Sequence, residues 1–141
     1  LQQKTIHNYV TSDFVQVTPD APSTQVVDKL LAADQTEAYV VSSQHTFLGQ
    51  VTLTELLKIR RTDTGDDPLV GDLAQHEQLP LTDMTSIFSA MKKVEDFVGE
   101  SIPVVSAEDH LKLVGVIPEG NIFKAYSDAI GEIREEEYGD S

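Results

Sequence analysis

Cysteine and tryptophan are absent from the 141 residues. Without cysteine there is no disulfide framework, no thiolate zinc site and no thiol nucleophile. Basic residues are scarce, 10 Lys plus Arg against 24 Asp plus Glu, which gives a formal net charge of −14. Such a polyanion is no partner for nucleic acid or anionic lipid, because its own field opposes phosphate. The acidic residues are scattered and build no EF-hand loop, so the charge reads as solvation. No run of about 18 apolar residues occurs, and direct membrane insertion of this segment is not expected. Leu1 is not a start methionine and no signal-peptide pattern follows it. We therefore expect a segment of a larger protein, with the absence of cysteine fitting a cytosolic setting.

Catalytic patterns are missing as well. His7, His45, His76 and His110 lie in separate loops or termini without metal-ligand spacing. No nucleophile elbow, Walker loop or dinucleotide-binding glycine pattern is present. The expectation is a non-enzyme that needs no cofactor.

What the chain does contain is one pattern written twice. Phe14-Val15-Gln16-Val17 alternates like a short strand, and Asp20-Ala21-Pro22-Ser23 is turn chemistry with Ser23 or Thr24 as a helix N-cap. Val26, Val27, Leu30 and Leu31 recur at helical spacing. Ala38 to Val41 is a buried-strand run, Ser42 to Thr46 a polar turn, Phe47 to Val51 a returning strand, and about Leu53 to Ile59 a helix. The second half repeats this order. Leu79-Pro80-Leu81 is a short strand, Asp83 to Val94 a helix with Ile87, Phe88 and Met91 inward, and Ile102 to Val105 a buried strand. Leu113 to Ile117 returns, and helix follows from Asn121. Phe14, Phe47, Phe88 and Phe123 all sit in apolar runs and read as core. Gly49 and Gly115 stand 66 residues apart, whereas Val40 and Val104 stand 64 apart. The difference places a hairpin two residues longer in the second repeat, where insertion costs little.

These spans divide the chain into a first repeat over 10–60, a polar linker over 61–69, a second repeat over 70–125, and an acidic helix and tail over 126–141. A unit near 60 residues buries too little surface to stand alone, so duplication is physically sensible.

The order strand, helix, strand, strand, helix, taken twice, resembles a pair of CBS repeats, often called a Bateman module. The residues carrying the resemblance are Gly49-Gln50-Val51-Thr52-Leu53-Thr54-Glu55 and Gly115-Val116-Ile117-Pro118-Glu119-Gly120-Asn121. The family pattern they stand against is Gly, two apolar residues, Ser or Thr, two variable residues, Asp. The resemblance covers about residues 10 to 125 and implies an α/β fold of two β-α-β-β-α repeats packed with pseudo-twofold symmetry. Within that family, Asp13 to Leu57 and Asn121 to Tyr126 look like the cytoplasmic C-terminal region of bacterial ClC-type chloride channels and transporters. That likeness implies a regulatory module attached to a membrane-embedded transport domain, in an inner or plasma membrane. The alternative is a ligand-free dimerisation module of another transporter or enzyme.

The resemblance also implies a cleft for ATP, ADP or AMP, with the motif carboxylate on ribose and the hydroxyl near phosphate at a helix start. Carried over residue by residue, Thr52 keeps the hydroxyl and Glu55 lengthens the carboxylate. Pro118 replaces the second hydroxyl and has no N–H, and Asn121 replaces the second Asp without its charge. In one cleft Asn121 would face Thr18, Thr36 and Ala38. In the other, Glu55 would face Thr82 and Ile102, with the backbones of Ala38 and Ile102 reading adenine. Lys4, Lys58, Arg60, Arg61 and Lys124 are the cations available for phosphate. A second reading of Thr52-x-x-Glu55 stands beside this one: it is also a capping box, which needs no ligand. Finally, CBS pairs associate through helix faces, so a homodimer through the helices Val26–Leu31 and Ile87–Met91 is expected.

Overall fold

A computed structural model of the chain describes residues 4–62, 65–75, 80–97 and 100–138. After a single turn of 3-10 helix at His7–Tyr9 come β1 (Val15–Val17), α1 (Ser23–Ala33), β2 (Glu37–Val41), β3 (Phe47–Thr52) and α2 (Leu53–Thr62). A short α3 (Val70–Leu73) leads to β4 (Leu81–Thr82), α4 (Ile87–Glu95), β5 (Ser101–Val105), β6 (Leu113–Pro118) and α5 (Glu119–Tyr138). No helix among the described residues is long and apolar enough to cross a membrane.

The strands form two three-stranded sheets, β1-β2-β3 and β4-β5-β6. In each the first pair is parallel and the second antiparallel. This is the expected α/β pair of repeats. Val40 pairs with Gly49 and Val104 with Gly115, and the register shifts just after Val40 and just after Val104. The two-residue difference falls in the hairpin turns: the Ser42 N–H donates to the Thr46 carbonyl, the Ser106 N–H to that of Lys112.

Each repeat has its own core, and each core takes residues from the other repeat's approach segment. Val15, Val26, Leu30, Val40 and Leu56 pack with Val70, which follows the polar linker. Ile87, Ile102, Ile117 and Ile122 pack with Ile6, which precedes the first strand. Ile6 and Val70 are both fully buried. Their backbones dock in the same way. The Ile6 N–H donates to the Thr85 carbonyl at 2.9 Å, and the Val70 N–H to that of Ala21 at 2.9 Å. Thr11 then exchanges two hydrogen bonds with Val116 on the β6 edge, as Gln75 does with Gln50 on β3. The molecule's pseudo-twofold relation thus extends to the segments that precede each repeat.

Local expectations shift in five places. First, neither Ser23 nor Thr24 caps α1 with its own hydroxyl. The cap comes from the linker: the Thr24 N–H donates to the Asp67 carboxylate at 3.0 Å, and the Ser23 N–H to the Pro68 carbonyl at 2.9 Å. Second, α4 starts at Ile87, not Asp83. Ser86 is its N-cap, accepting from the Ser89 N–H at 3.1 Å, while the Asp83 carboxylate accepts from Ala107 across the fold. Third, Phe88 and Phe123 are not core. They are exposed, with Phe88 edge-on to Tyr126 at 5.7 Å, because Ile87, Ala90 and Val94 fill the inward stripe of α4 and Ile122, Ala125 and Ala129 that of α5. Fourth, Val26, Val27, Leu30 and Ile87 are buried within the chain, so the apolar surface that α1 and α4 leave for a partner is Leu31 and Phe88. Fifth, the expected strand at Leu79-Pro80-Leu81 appears at Leu81–Thr82, and Leu79 lies outside the described residues.

Gly115 sets how closely an approach segment can lie. A Cβ there would come within 2.6 Å of Val10 Cγ1 and 2.7 Å of the Thr11 carbonyl oxygen. In contrast, a Cβ on Gly131, within α5, would meet nothing within 4 Å. We expect Gly115→Ala to destabilise by about 1–3 kcal/mol through overpacking. Gly131→Ala should stabilise by about 1 kcal/mol through helix propensity. Urea unfolding of both variants checks the pair, and a neutral Gly115→Ala would mean that the arm is not tightly docked.

Candidate functional site

The central strands β2 and β5 bring the repeats together. Tyr39 and Phe47 of the first repeat share a core with Val105 and Val116 of the second, flanked by Phe14 and Leu113. The Phe14 and Tyr39 rings meet edge to face at 5.6 Å. At the other end of this seam the strand starts are cross-linked by polar groups. The Thr36 hydroxyl donates to the Glu100 carboxylate at 2.8 Å. The Glu37 carboxylate accepts the Glu100 N–H at 2.9 Å and the Gln50 side-chain amide at 3.2 Å. The Tyr39 hydroxyl donates to the Ser101 carbonyl at 3.3 Å.

Glu37 is only 8% exposed. Burial pushes its pKa upward and the Glu100 charge adds to this, while bonds from the Glu100 and Ser101 backbone and from Tyr39 oppose it; the net shift is upward. The Tyr39 hydroxyl is also pushed up, by burial and then by the Glu37 charge. Sequence reasoning passed over Glu37. The available signal was a carboxylate opening an otherwise apolar strand, a place where charge survives only with partners.

The expected site residues separate into pairs held by protein partners. Thr52 and Glu55 come together at the start of α2: the Glu55 N–H donates to Thr52 Oγ1 at 3.2 Å, and the Thr52 hydroxyl to the Glu55 carboxylate at 2.9 Å. This is a cap, with the carboxylate on the hydroxyl. Asn121 donates its side-chain amide to the Tyr9 carbonyl at 3.0 Å. The Thr18 hydroxyl turns to Asp20, Thr36 reaches Glu100, and the Thr82 N–H donates to Thr85 Oγ1. Ala38 and Ile102 are fully buried inside β2 and β5.

Glu55 also stands at the rim of an open groove of about 360 Å³ between α2 and the segment after the linker. Lys58, Ile59, Asp72 and Leu73 line it, and neither Thr82 nor Ile102 contributes to its wall. Among the described residues, its lining holds one cation, Lys58, with the carboxylates of Glu55 and Asp72. Lys4 pairs with Glu132 instead. The side chains of Arg60 and Arg61 lie outside the described residues.

Comparison with known proteins gives a consistent result. The family model described as CBS domain matches residues 6–61 and 70–128. Among curated proteins, none matches the chain. Among solved structures, CBSX2, a CBS-pair protein from Arabidopsis thaliana, is 23% identical with a TM-score of 0.72, covering 91% of this chain and 97% of its own. CBSX2 in complex with AMP aligns at 22% identity and a TM-score of 0.74, over 89% of this chain and 97% of that one. CbpB in complex with c-di-AMP is 15% identical with a TM-score of 0.74, over 95% and 91%. The soluble part of a magnesium transporter is 17% identical with a TM-score of 0.74, over 91% of this chain and 49% of that one. At these identities the likeness establishes the fold.

The buried carboxylate yields a prediction about pH. Because the folded-state pKa of Glu37 is raised, its contribution to stability is fully present below the ordinary carboxylate value of 4.5 and is lost as pH rises through the folded one. Glu37→Gln should therefore flatten the fall in melting temperature between mildly acidic and neutral pH without lowering it at neutrality. Glu37→Ala should cost about 1–3 kcal/mol by stranding the Glu100 N–H. A thermal-unfolding series across pH on the three proteins checks both, and an unchanged pH profile in Glu37→Gln would remove Glu37 from the account.

Proposed function

The chain belongs to the CBS domain family, and from that premise we propose that it is a non-catalytic regulatory module that takes an adenosine nucleotide in the groove beside Glu55. The observation that carries this is the position of Glu55. It sits at the motif's carboxylate position, at a helix start, on the rim of an open groove. A carboxylate there can accept both ribose hydroxyls. Among the described lining residues one cation, Lys58, stands with two carboxylates, Glu55 and Asp72, a balance that favours few phosphates. AMP is therefore the preferred form over ADP and ATP. Relatives solved with AMP and with c-di-AMP support an adenosine monophosphate unit as the recognised part.

For the whole protein, the reading is a cytoplasmic module of a ClC-type chloride channel or transporter, attached to its membrane-embedded domain. It rests on the likeness of residues 13–57 and 121–126 to that group, and the magnesium-transporter relative supports attachment of such pairs to transport proteins in general. The partner surface is a second copy meeting the exposed Leu31, Leu57, Phe88 and Phe123 on the helices. A second reading, a ligand-free dimerisation module, is favoured by the hydrogen bonds that already occupy Thr36, Thr52 and Asn121.

Thermal unfolding with and without AMP, ADP and ATP separates the two. AMP at about 100 times its dissociation constant should add roughly 2.7 kcal/mol of stability, with ATP shifting the transition less at equal concentration. Glu55→Ala should weaken AMP by about tenfold, the loss of one charge-assisted hydrogen bond. Unshifted transitions with all three nucleotides would leave the dimerisation module.

A further inference from the structure

The pseudo-twofold relation permits a position-by-position comparison of the two motif ends within one molecule. Glu55 corresponds to Asn121, and Leu73 to Tyr9, since Gln75 and Thr11 dock identically on Gln50 and Val116. Around Glu55 the groove is open and Leu73 is part of its wall. Around Asn121 the corresponding approach segment reaches onto α5. The Tyr9 carbonyl accepts the Asn121 amide at 3.0 Å. The Tyr9 hydroxyl donates to the Asp128 carboxylate at 2.7 Å. Asp128 lies two helical turns beyond Asn121 on the same face, and Lys4 pairs with Glu132 one turn further. Ala125 and Ala129, on that face, are buried.

The departures from the motif fit this arrangement. A carboxylate at position 121 would repel the Tyr9 carbonyl, whereas an amide donates to it. Pro118 stands where Thr52 caps α2, so this end also lacks the hydroxyl. Leucine at position 73 is too short to make the reach that the Tyr9 phenol makes. The Asp128 bond also pushes the Tyr9 pKa up to about 12, so the phenol keeps its proton under ordinary conditions.

We infer that the N-terminal arm, residues 4–11, is a built-in occupant of the second motif end, so that each chain offers one nucleotide place until the arm is released. The inference rests on the reading of the Glu55 groove as the nucleotide site. Displacing the arm would open a second place on α5 and at the same time free Ile6 from the second core, which ties ligand number to the position of whatever precedes Lys4.

Calorimetric titration with AMP on the full chain tests this, together with amide hydrogen exchange at Ile6 and Thr11, whose N–H groups hold the arm to Thr85 and Val116, and at Tyr9, whose N–H closes the arm's own turn on Ile6. Wild type should bind one AMP per chain with the arm amides protected. Tyr9→Leu/Asn121→Glu, which copies the first motif end, should bind two. Tyr9→Phe removes only the phenol bond and should speed exchange at Tyr9 and Thr11 roughly three- to tenfold while leaving the fold intact. Two AMP per wild-type chain would overturn the inference alone. So would one AMP in the double variant with its arm amides exchanging freely, or arm amides as protected in both variants as in wild type. No AMP bound by wild type or double variant would overturn this inference and the groove reading together.

Discussion

The exchange of approach segments is the constraint on which the rest of the structure depends. Each repeat alone presents three strands and two helices, too little to bury a self-sufficient core. Ile6 completes the second core and Val70 the first, and both are fully buried. Neither repeat can close without a segment that belongs, in chain order, to the other. The linker is therefore not a passive spacer. Asp67 and Pro68 satisfy the free N–H groups at the start of α1, a helix whose own N-cap residue is Pro22 and brings no side-chain bond. The same geometry favours glycine at both edges: at position 115 a Cβ would meet the Thr11 carbonyl oxygen at 2.7 Å, and at position 49 a φ of +138° joins a tight 3.1 Å approach to the Gln75 nitrogen.

Given that topology, β2 and β5 must meet, and the chemistry of their contact follows. One half of the seam is apolar and aromatic, and holds the repeats by burial. The other half is a buried carboxylate on backbone donors of the opposite strand. Removing one member of such a pair costs more than the pair itself contributes, which gives the seam specificity of register more than net stability. Glu37 also satisfies Glu100 and lies beside Ala38, whose backbone was expected to read adenine. The strand starts are thus already committed to each other, and the groove beside Glu55 lies outside them, along α2.

Much of this was legible in the residues. The strand and helix periods, the paired glycines and the 64- and 66-residue spacings specify two repeats and even the longer second hairpin, because local pattern and topology agree there. Thr52 and Glu55 were legible as a cap for the same reason, both partners lying within one turn. What was not legible is whatever depends on distant chain. Thr24 looks like its own cap until Asp67, 43 residues away, takes the role. Phe88 and Phe123 look like core because they sit in apolar runs, yet Ile87, Ala90 and Val94 fill the inward stripe of α4 and Ile122, Ala125 and Ala129 that of α5. Asn121 looks like a weakened ribose ligand, and only the placement of Tyr9, 112 residues away, supplies the carbonyl that an amide satisfies.

The two motif ends then cease to be equivalent for a physical reason rather than by simple decay. A carboxylate needs donors, and Glu55 has one in Thr52 and an open groove for others. At position 121 the nearest fixed group is an acceptor, the Tyr9 carbonyl, and a carboxylate there would face it across a partly buried contact. Asparagine turns a repulsion into a bond, at the cost of the charge that the motif carboxylate would carry. Once the arm is held in this way, further contacts along α5 become available to Tyr9 and Lys4 at little extra ordering cost, since the segment is already fixed at Ile6. The departure from the motif at position 121 and the docking of the N-terminal segment are, on this argument, a single adaptation seen from its two sides.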